Sequence, residues 1–186
     1  MTDPSLDRDR LLTLLRDRAL TRESVVLASG KRSSYYIDAR QVLLDPEGAA
    51  LAGHLGYAAL APHSPAAVGG LTLGADPLVC AVSAAAWTDG RRWTGFFVRK
   101  EAKKHGLQNW IEGPFIEEGT PVAVVDDTLT TGGSIIDAIQ KARKAGGEVV
   151  AALVVIDREE GGREAVEAEL GAAPLYALFG AAELLG

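Results

Sequence analysis

Cysteine is almost missing from these 186 residues: there is one, Cys80. A lone thiol cannot close an internal disulfide and has no CxxC partner for zinc, which leaves a reducing cytoplasm as the expected compartment. Its neighbours Val79 and Ala81 predict a small buried hydrophobe. No apolar run approaches the length of a membrane span. The start, MTDPSLDRDRLL, mixes acids and arginines where a secretory leader needs a basic start and an uninterrupted apolar segment, so neither membrane nor export is expected. An excess of positive charge is missing too. Lys and Arg number 19 against 25 Asp and Glu, a net −6 that argues against a general nucleic-acid partner. The patterns G-x-x-x-x-G-K-[ST] and GxGxxG are absent, and with them the usual nucleoside-triphosphate loop and dinucleotide fingerprint.

What is present reads as one ordinary globular domain over 1–186, with 47% apolar and 24% charged residues. Leucines 11, 12, 14 and 15 among charged neighbours predict an amphipathic helix over about Asp7 to Arg18. A second helix is predicted over Pro46 to Leu60, with proline in its first turn. Between them VVLASGKRSSYYIDARQVLL turns at Ser29-Gly30 and predicts an edge hairpin or extended arm, so residues 1–45 form an N-terminal helix and arm and 46–186 a core.

From Ala66 the pattern becomes strand, glycine-rich turn, helix: AAVGG, then LTLGADP, then PLVCAVSAAAW. RRWTGFFVRK, TPVAVVDD and EVVAALVVID follow as strands, with SIIDAIQKARKAG as a helix and REAVEAEL and PLYALFG as a last helix and strand. Apolar runs without alternation belong to strands covered on both faces. The expectation is an α/β fold with a central, mostly parallel sheet flanked by helices.

VAVVDDTLTTGGS, Val122 to Ser134, ends such a run with two carboxylates. Ligands in open parallel sheets bind at the carboxyl ends of strands, where Asp126 and Asp127 are expected. The turn Thr128 to Ser134 leads into a helix expected from about Ile135, so its backbone N–H groups and the helix N-terminus can hold an anion. Gly132 and Gly133 allow close approach, and Thr128, Thr130, Thr131 and Ser134 offer hydroxyls. Helix capping by the acids is the plain alternative.

The whole pattern resembles the phosphoribosyl pyrophosphate (PRPP) motif of type I phosphoribosyltransferases. The resemblance implies that Asp126 and Asp127 hold the ribose, and that Thr128, Leu129, Thr130, Thr131, Gly132, Gly133 and Ser134 cradle its 5′-phosphate. RKEAKKHG, Arg99 to Gly106, concentrates basic residues in a loop without core periodicity, which suits a lid over a leaving pyrophosphate. It closely resembles the flexible loop of orotate phosphoribosyltransferases, with Arg99, Lys100, Lys103 and His105 on matching positions and Lys104 on a variable one. SGKRSSYYIDAR resembles the same family's arm, placing Tyr35 and Tyr36 by the pyrimidine. IDREEGG matches its arginine segment, placing Arg158 on orotate, with Thr130 as a second contact. Ala28 and Leu73 stand where some relatives carry lysine. His54 and His63 match nothing and are read as surface histidines.

The resemblance implies a pentosyltransferase that makes orotidine 5′-monophosphate and pyrophosphate from orotate and PRPP, in pyrimidine synthesis. Mg²⁺ is expected as cofactor, held by substrate oxygens and water, with no metal residue named. A homodimer with shared sites is implied. The alternatives are a purine or uracil phosphoribosyltransferase, which would lack RKEAKKHG, and a PRPP-sensing regulator, which would need a basic face.

Overall fold

The structure, a computed structural model, describes residues 4–22, 25–26, 32–33, 35–102 and 110–186. Helix α1 (Pro4–Leu14) runs into one wider turn over Leu15–Ala19, and Leu11, Leu14 and Leu15 are buried, as their spacing predicts. The predicted arm follows. β1 (Leu20–Thr21) pairs antiparallel with β4 (Tyr36–Ile37), and β2 (Val25–Val26) with β3 (Arg32–Ser33). The short helix α2 (Arg40–Leu43) leads to α3 (Pro46–Leu60), whose bounds are those expected. Its start is fixed by proline and by the Asp45 carboxylate, which accepts from Glu47 N–H at 3.0 Å and Gly48 N–H at 3.3 Å.

The central sheet holds β5 (Ala67–Leu71), β6 (Thr94–Val98), β7 (Ile111–Glu112), β8 (Thr120–Leu129), β9 (Gly147–Asp157) and β10 (Leu175–Gly180). Their order is β10-β9-β8-β5-β6-β7, parallel throughout except for the edge strand β7. β7 and the closing helix α7 (Ala181–Leu185) have no counterpart in the sequence reading. One apolar core joins α1, α3 and α4 (Asp76–Thr88) to one face; the other joins α5 (Gly133–Lys144) and α6 (Gly162–Leu170) to the opposite face. Along β8, Val122 and Val124 enter the second core and Ala123 and Val125 the first. A bulge in β9 opposite Val122/Ala123 keeps this alternation matched: Val149 faces the second core, and beyond the extra residue Ala152 and Val154 face it again.

Cys80 is exposed, not buried. The core-facing positions of α4 are Leu78, Val79, Val82, Ala85 and Ala86, and Cys80 falls on the opposite side of that helix. His63 is half-buried, its Nε2 2.8 Å from the Tyr176 hydroxyl, whereas His54 is exposed.

Candidate active site

β8 builds the site. Its apolar stretch is followed by polar residues without the strand ending, since Asp126 lies across from Val154, Thr128 from Ile156 and Leu129 from Asp157. The strand end expected at the acidic pair therefore lies at Leu129. The cause is local: Leu129 buries its side chain in the second core, and its carbonyl accepts from Arg158 N–H at 2.9 Å. Helix α5 likewise begins at Gly133, two residues before Ile135.

Asp126 and Asp127 line one side of a cleft of about 660 Å³, together with Arg40, Thr72, Leu73, Gly74, Arg99, Lys100, Glu112, Thr128 and Ser134. Asp126 is 5% exposed and accepts at Oδ1 from Asp127 N–H at 3.0 Å. Burial, and after it the charge of Asp127, pushes the Asp126 carboxyl up to about 8. Asp127 is also raised by burial, held back by the Thr128 N–H and then by the Arg40 charge. The opposite wall comes very close: a Cβ on Gly74 would lie 3.0 Å from Asp127 Oδ1, so a side chain there would press on the acid. Leu73 beside it is 73% exposed, an apolar side chain presented to the cleft.

Adjoining the cleft is a smaller pocket of about 80 Å³, lined by Asp126 and by Thr128 through Ile135. At roughly 30 Å³ per water, it has the scale of a small anion and not of a nucleoside. Gly132 adopts φ +83°, where a Cβ would also meet Val166 Cγ2 at 2.7 Å. That turn aims the first N–H groups of α5 at the pocket, with the hydroxyls of Thr128, Thr130, Thr131 and Ser134 around it.

On the basic side, Arg99 pairs with Glu112 at 2.8 Å and Lys100 lies on the cleft wall. Lys141 of α5 holds the start of this segment and lies against Trp110 beyond it. Its Nζ donates to the carbonyls of Arg99 and Lys100 at 3.0 and 3.3 Å, pairs with Asp137 at 2.7 Å, and lies 4.2 Å from the Trp110 ring centroid. Lys103, Lys104 and His105 lie outside the described residues, as does Ala28.

Arg158, the first residue beyond β9, is 6% exposed, and its guanidinium carbon lies 5.0 Å from the Tyr35 ring centroid. The structure thus brings Tyr35 to Arg158. Tyr36 is instead exposed, its neighbour Ile37 turning into the core. Arg40, which the sequence reading passed over, lines the cleft and is ion-paired with Asp38 at 2.8 Å. The only sequence signal for it is an Asp-x-Arg pair just after the tyrosines, which looks like any surface pair.

No protein-family model matches the chain. A curated protein of Aquifex aeolicus (strain VF5) named orotate phosphoribosyltransferase is 44% identical over 183 residues, covering 97% of this chain and 98% of that protein. The chain belongs to the orotate phosphoribosyltransferase family. Solved structures of that family agree in fold. The Mycobacterium tuberculosis H37Rv orotate phosphoribosyltransferase in complex with Fe(III) dicitrate superposes with a TM-score of 0.85 at 41% identity, over 96% of this chain and 98% of that one. The same enzyme in complex with PRPP gives 0.81 at 38% identity, over 97% and 99%. For an orotate phosphoribosyltransferase fold the cleft stands where open parallel sheets place ligands, at the carboxyl ends of β5, β6 and β8.

Proposed function

We propose that this chain transfers the 5-phosphoribosyl group of PRPP to N1 of orotate, giving orotidine 5′-monophosphate and pyrophosphate in pyrimidine synthesis. The observation that carries the reading is the continuity of one cleft: a buried acidic pair stands between an anion-sized pocket and a basic wall. A ribose 5-phosphate with a leaving group at C1′ has that order of charges.

In this reading the Thr128–Ser134 loop takes the 5′-phosphate through backbone N–H groups and hydroxyls, and Asp126 and Asp127 accept hydrogen bonds from the ribose hydroxyls. The bond from C1′ to the pyrophosphate oxygen breaks with its electron pair leaving on oxygen. Arg99 and Lys100, with Lys103 and His105 of the same loop, meet that charge. The positive character left on the ribose ring faces the acidic pair, which stabilises it as it develops. Orotate, held by Arg158, Tyr35, Tyr36 and Thr130, attacks C1′ through an N1 that is already anionic, so no general base is needed. Positioning supplies much of the acceleration.

Mg²⁺ fits the donor set. Two adjacent carboxylates whose pKa values burial raises, in Asp126 with the Asp127 charge adding to it, are hard oxygen donors whose ionised form a divalent cation would favour, and Asp126 and Asp127 are the residues that would face it. Among the described residues no group of three or more His, Cys, Asp or Glu could hold a metal. When bound, Mg²⁺ supplies positive charge to the pyrophosphate oxygens.

Residues 1–45 would act as a hood over residues 46–186, all one domain, in a cytoplasmic homodimer whose sites are shared between subunits. No described helix is long and apolar enough to cross a membrane. The test is the ultraviolet loss of orotate on adding PRPP and Mg²⁺, with adenine, hypoxanthine and uracil in parallel. Turnover of another base in preference to orotate would refute the assignment.

A further inference from the structure

The segment Asp157–Glu160 places three carboxylates around one buried arginine, and two of them are committed elsewhere. Asp157 accepts from Arg163 Nε at 2.8 Å and from Glu159 N–H at 2.8 Å. Glu159, at φ +57°, accepts at Oε2 from Ala182 N–H at 2.9 Å, at the start of α7. That left-handed residue turns the chain so that Glu160 returns to Arg158, Oε1 lying 2.6 Å from Nη2.

The contact is close but badly aimed. Arg158 Nε and Nη2 are both buried with no hydrogen-bond acceptor among the described residues, so the Glu160 oxygen is near Nη2 without lying along its N–H. Nε and Nη2 form the edge of the guanidinium that suits a carboxylate held by two parallel bonds. Tyr35 covers the ring-facing side, and the backbone is fixed by the bond from Arg158 N–H to Leu129. A two-pronged grip is therefore built, and neither prong has an aligned acceptor among the described residues. A buried guanidinium without any counter-charge would strongly destabilise the empty protein, which gives Glu160 its place.

We propose that Glu160 is a built-in counter-ion that neutralises Arg158 while the site is empty and is displaced by the carboxylate of the incoming pyrimidine. This rests on the reading of Arg158 as the orotate grip. The substrate carboxylate wins because it presents two oxygens in line with Nε–H and Nη2–H where Glu160 presents one off line. Competition sets the affinity: the apparent dissociation constant is the intrinsic one divided by the fraction of Arg158 left free.

Glu160→Gln keeps the size of the side chain and removes the competing charge. We expect the KM for orotate to fall about three- to tenfold, the KM for PRPP to stay within about twofold, and orotate to raise the melting temperature of the variant more than that of the parent. Glu160→Asp, one methylene too short to reach, should move orotate in the same direction and covers the case in which Gln disturbs folding. Inhibition by uracil, which has no carboxylate, should not change. An unchanged or raised KM for orotate in both variants, or an equal gain for uracil, overturns the proposal. Arg158→Ala run alongside separates the two levels. If it leaves orotate binding unaltered, the orotate-grip reading itself fails and the counter-ion falls with it. If it weakens orotate while the Glu160 variants do not tighten it, only the counter-ion is refuted.

Discussion

Asp126→Asn should remove a pH dependence from the empty protein's stability. Asp126 is an acid whose folded-state pKa lies above its unfolded one, from an ordinary 3.8 to about 8, through burial first and the Asp127 charge second. Below about pH 4 both states hold the proton and the folded state has its full stability. Between there and about pH 8 the folded chain keeps a proton that the unfolded chain has released, so stability falls as pH rises, and the loss is complete above the folded value. At ~1.4 kcal/mol per pH unit the ceiling on this loss is ~6 kcal/mol. The pocket adjoins an open cleft whose water and side chains relax around the charge, which brings the expected loss to ~2–3 kcal/mol.

Asparagine cannot ionise and matches the neutral acid in shape. Urea melts at pH 5, 7 and 9 should therefore give parent and variant similar stability at pH 5. At pH 9 the variant should be ahead by ~2–3 kcal/mol, or ~5–10 °C in Tm for a chain of this size. Asp127 remains and leaves a smaller dependence of the same sign. Parallel pH profiles in the two proteins would show that Asp126 ionises as freely as a surface acid and would refute the argument. The same proton should leave when PRPP and Mg²⁺ bind, and binding heats near pH 7 measured in two buffers of different ionisation enthalpy report it directly.

Asp127→Asn should lower kcat/KM on the order of 10- to 1000-fold while leaving the fold intact, and unaltered kinetics would reduce the acid to a structural group. Arg40→Ala should raise the KM for PRPP about 5- to 50-fold and push Asp127 further up, moving the acidic limb of the pH–rate profile to higher pH; a change confined to orotate would place Arg40 elsewhere. Refolding Lys100→Ala together with Asp127→Asn decides between two placements: within one chain Lys100 already lines the cleft of Asp127, which predicts mixed dimers that stay inactive, whereas recovered activity would show that Lys100 completes the partner's site in trans. Mixed dimers verified by mass spectrometry yet inactive would confine Lys100 to its own chain.

The sequence was most legible where one local rule dominated. Pro46 with Asp45 before it sets the start of α3, and uninterrupted apolar runs mark β5, β8 and β9 as strands covered on both faces. It was least legible where a distant partner decides. Asp126 and Asp127 read as the strand end, with the turn starting at Thr128, because the apolar run stops there, yet Leu129 and the pairing with β9 carry the strand past them. β7 holds two residues and exists only through its pairing with Phe97 and Val98. Cys80 looked buried because its neighbours are apolar, but burial on a helix follows the hundred-degree step and not adjacency. Arg40 and Lys141 carry no motif at all; only the folded chain brings one to Asp127 and the other under the base of the basic segment.

The distance between the two halves of the proposed site is set by backbone and not by side chains. The phosphate loop leaves β8 at Leu129 and the arginine segment leaves β9 at Asp157, residues that lie opposite each other in the parallel ladder and are joined by the bond from Arg158 N–H to the Leu129 carbonyl. On the other flank, a Cβ on Gly70 would meet the Val125 carbonyl at 2.1 Å, so β5 and its turn at Gly74 approach the acidic pair at a fixed, minimal spacing. Exchanging a side chain such as Leu73, which lines the cleft, should therefore leave the anion pocket in place relative to Arg158. A substrate gripped at its phosphate by one strand end and at its base by the next is held across C1′ by two hydrogen-bonded strands. That rigidity lets binding energy at both ends align the reacting atoms instead of deforming the protein.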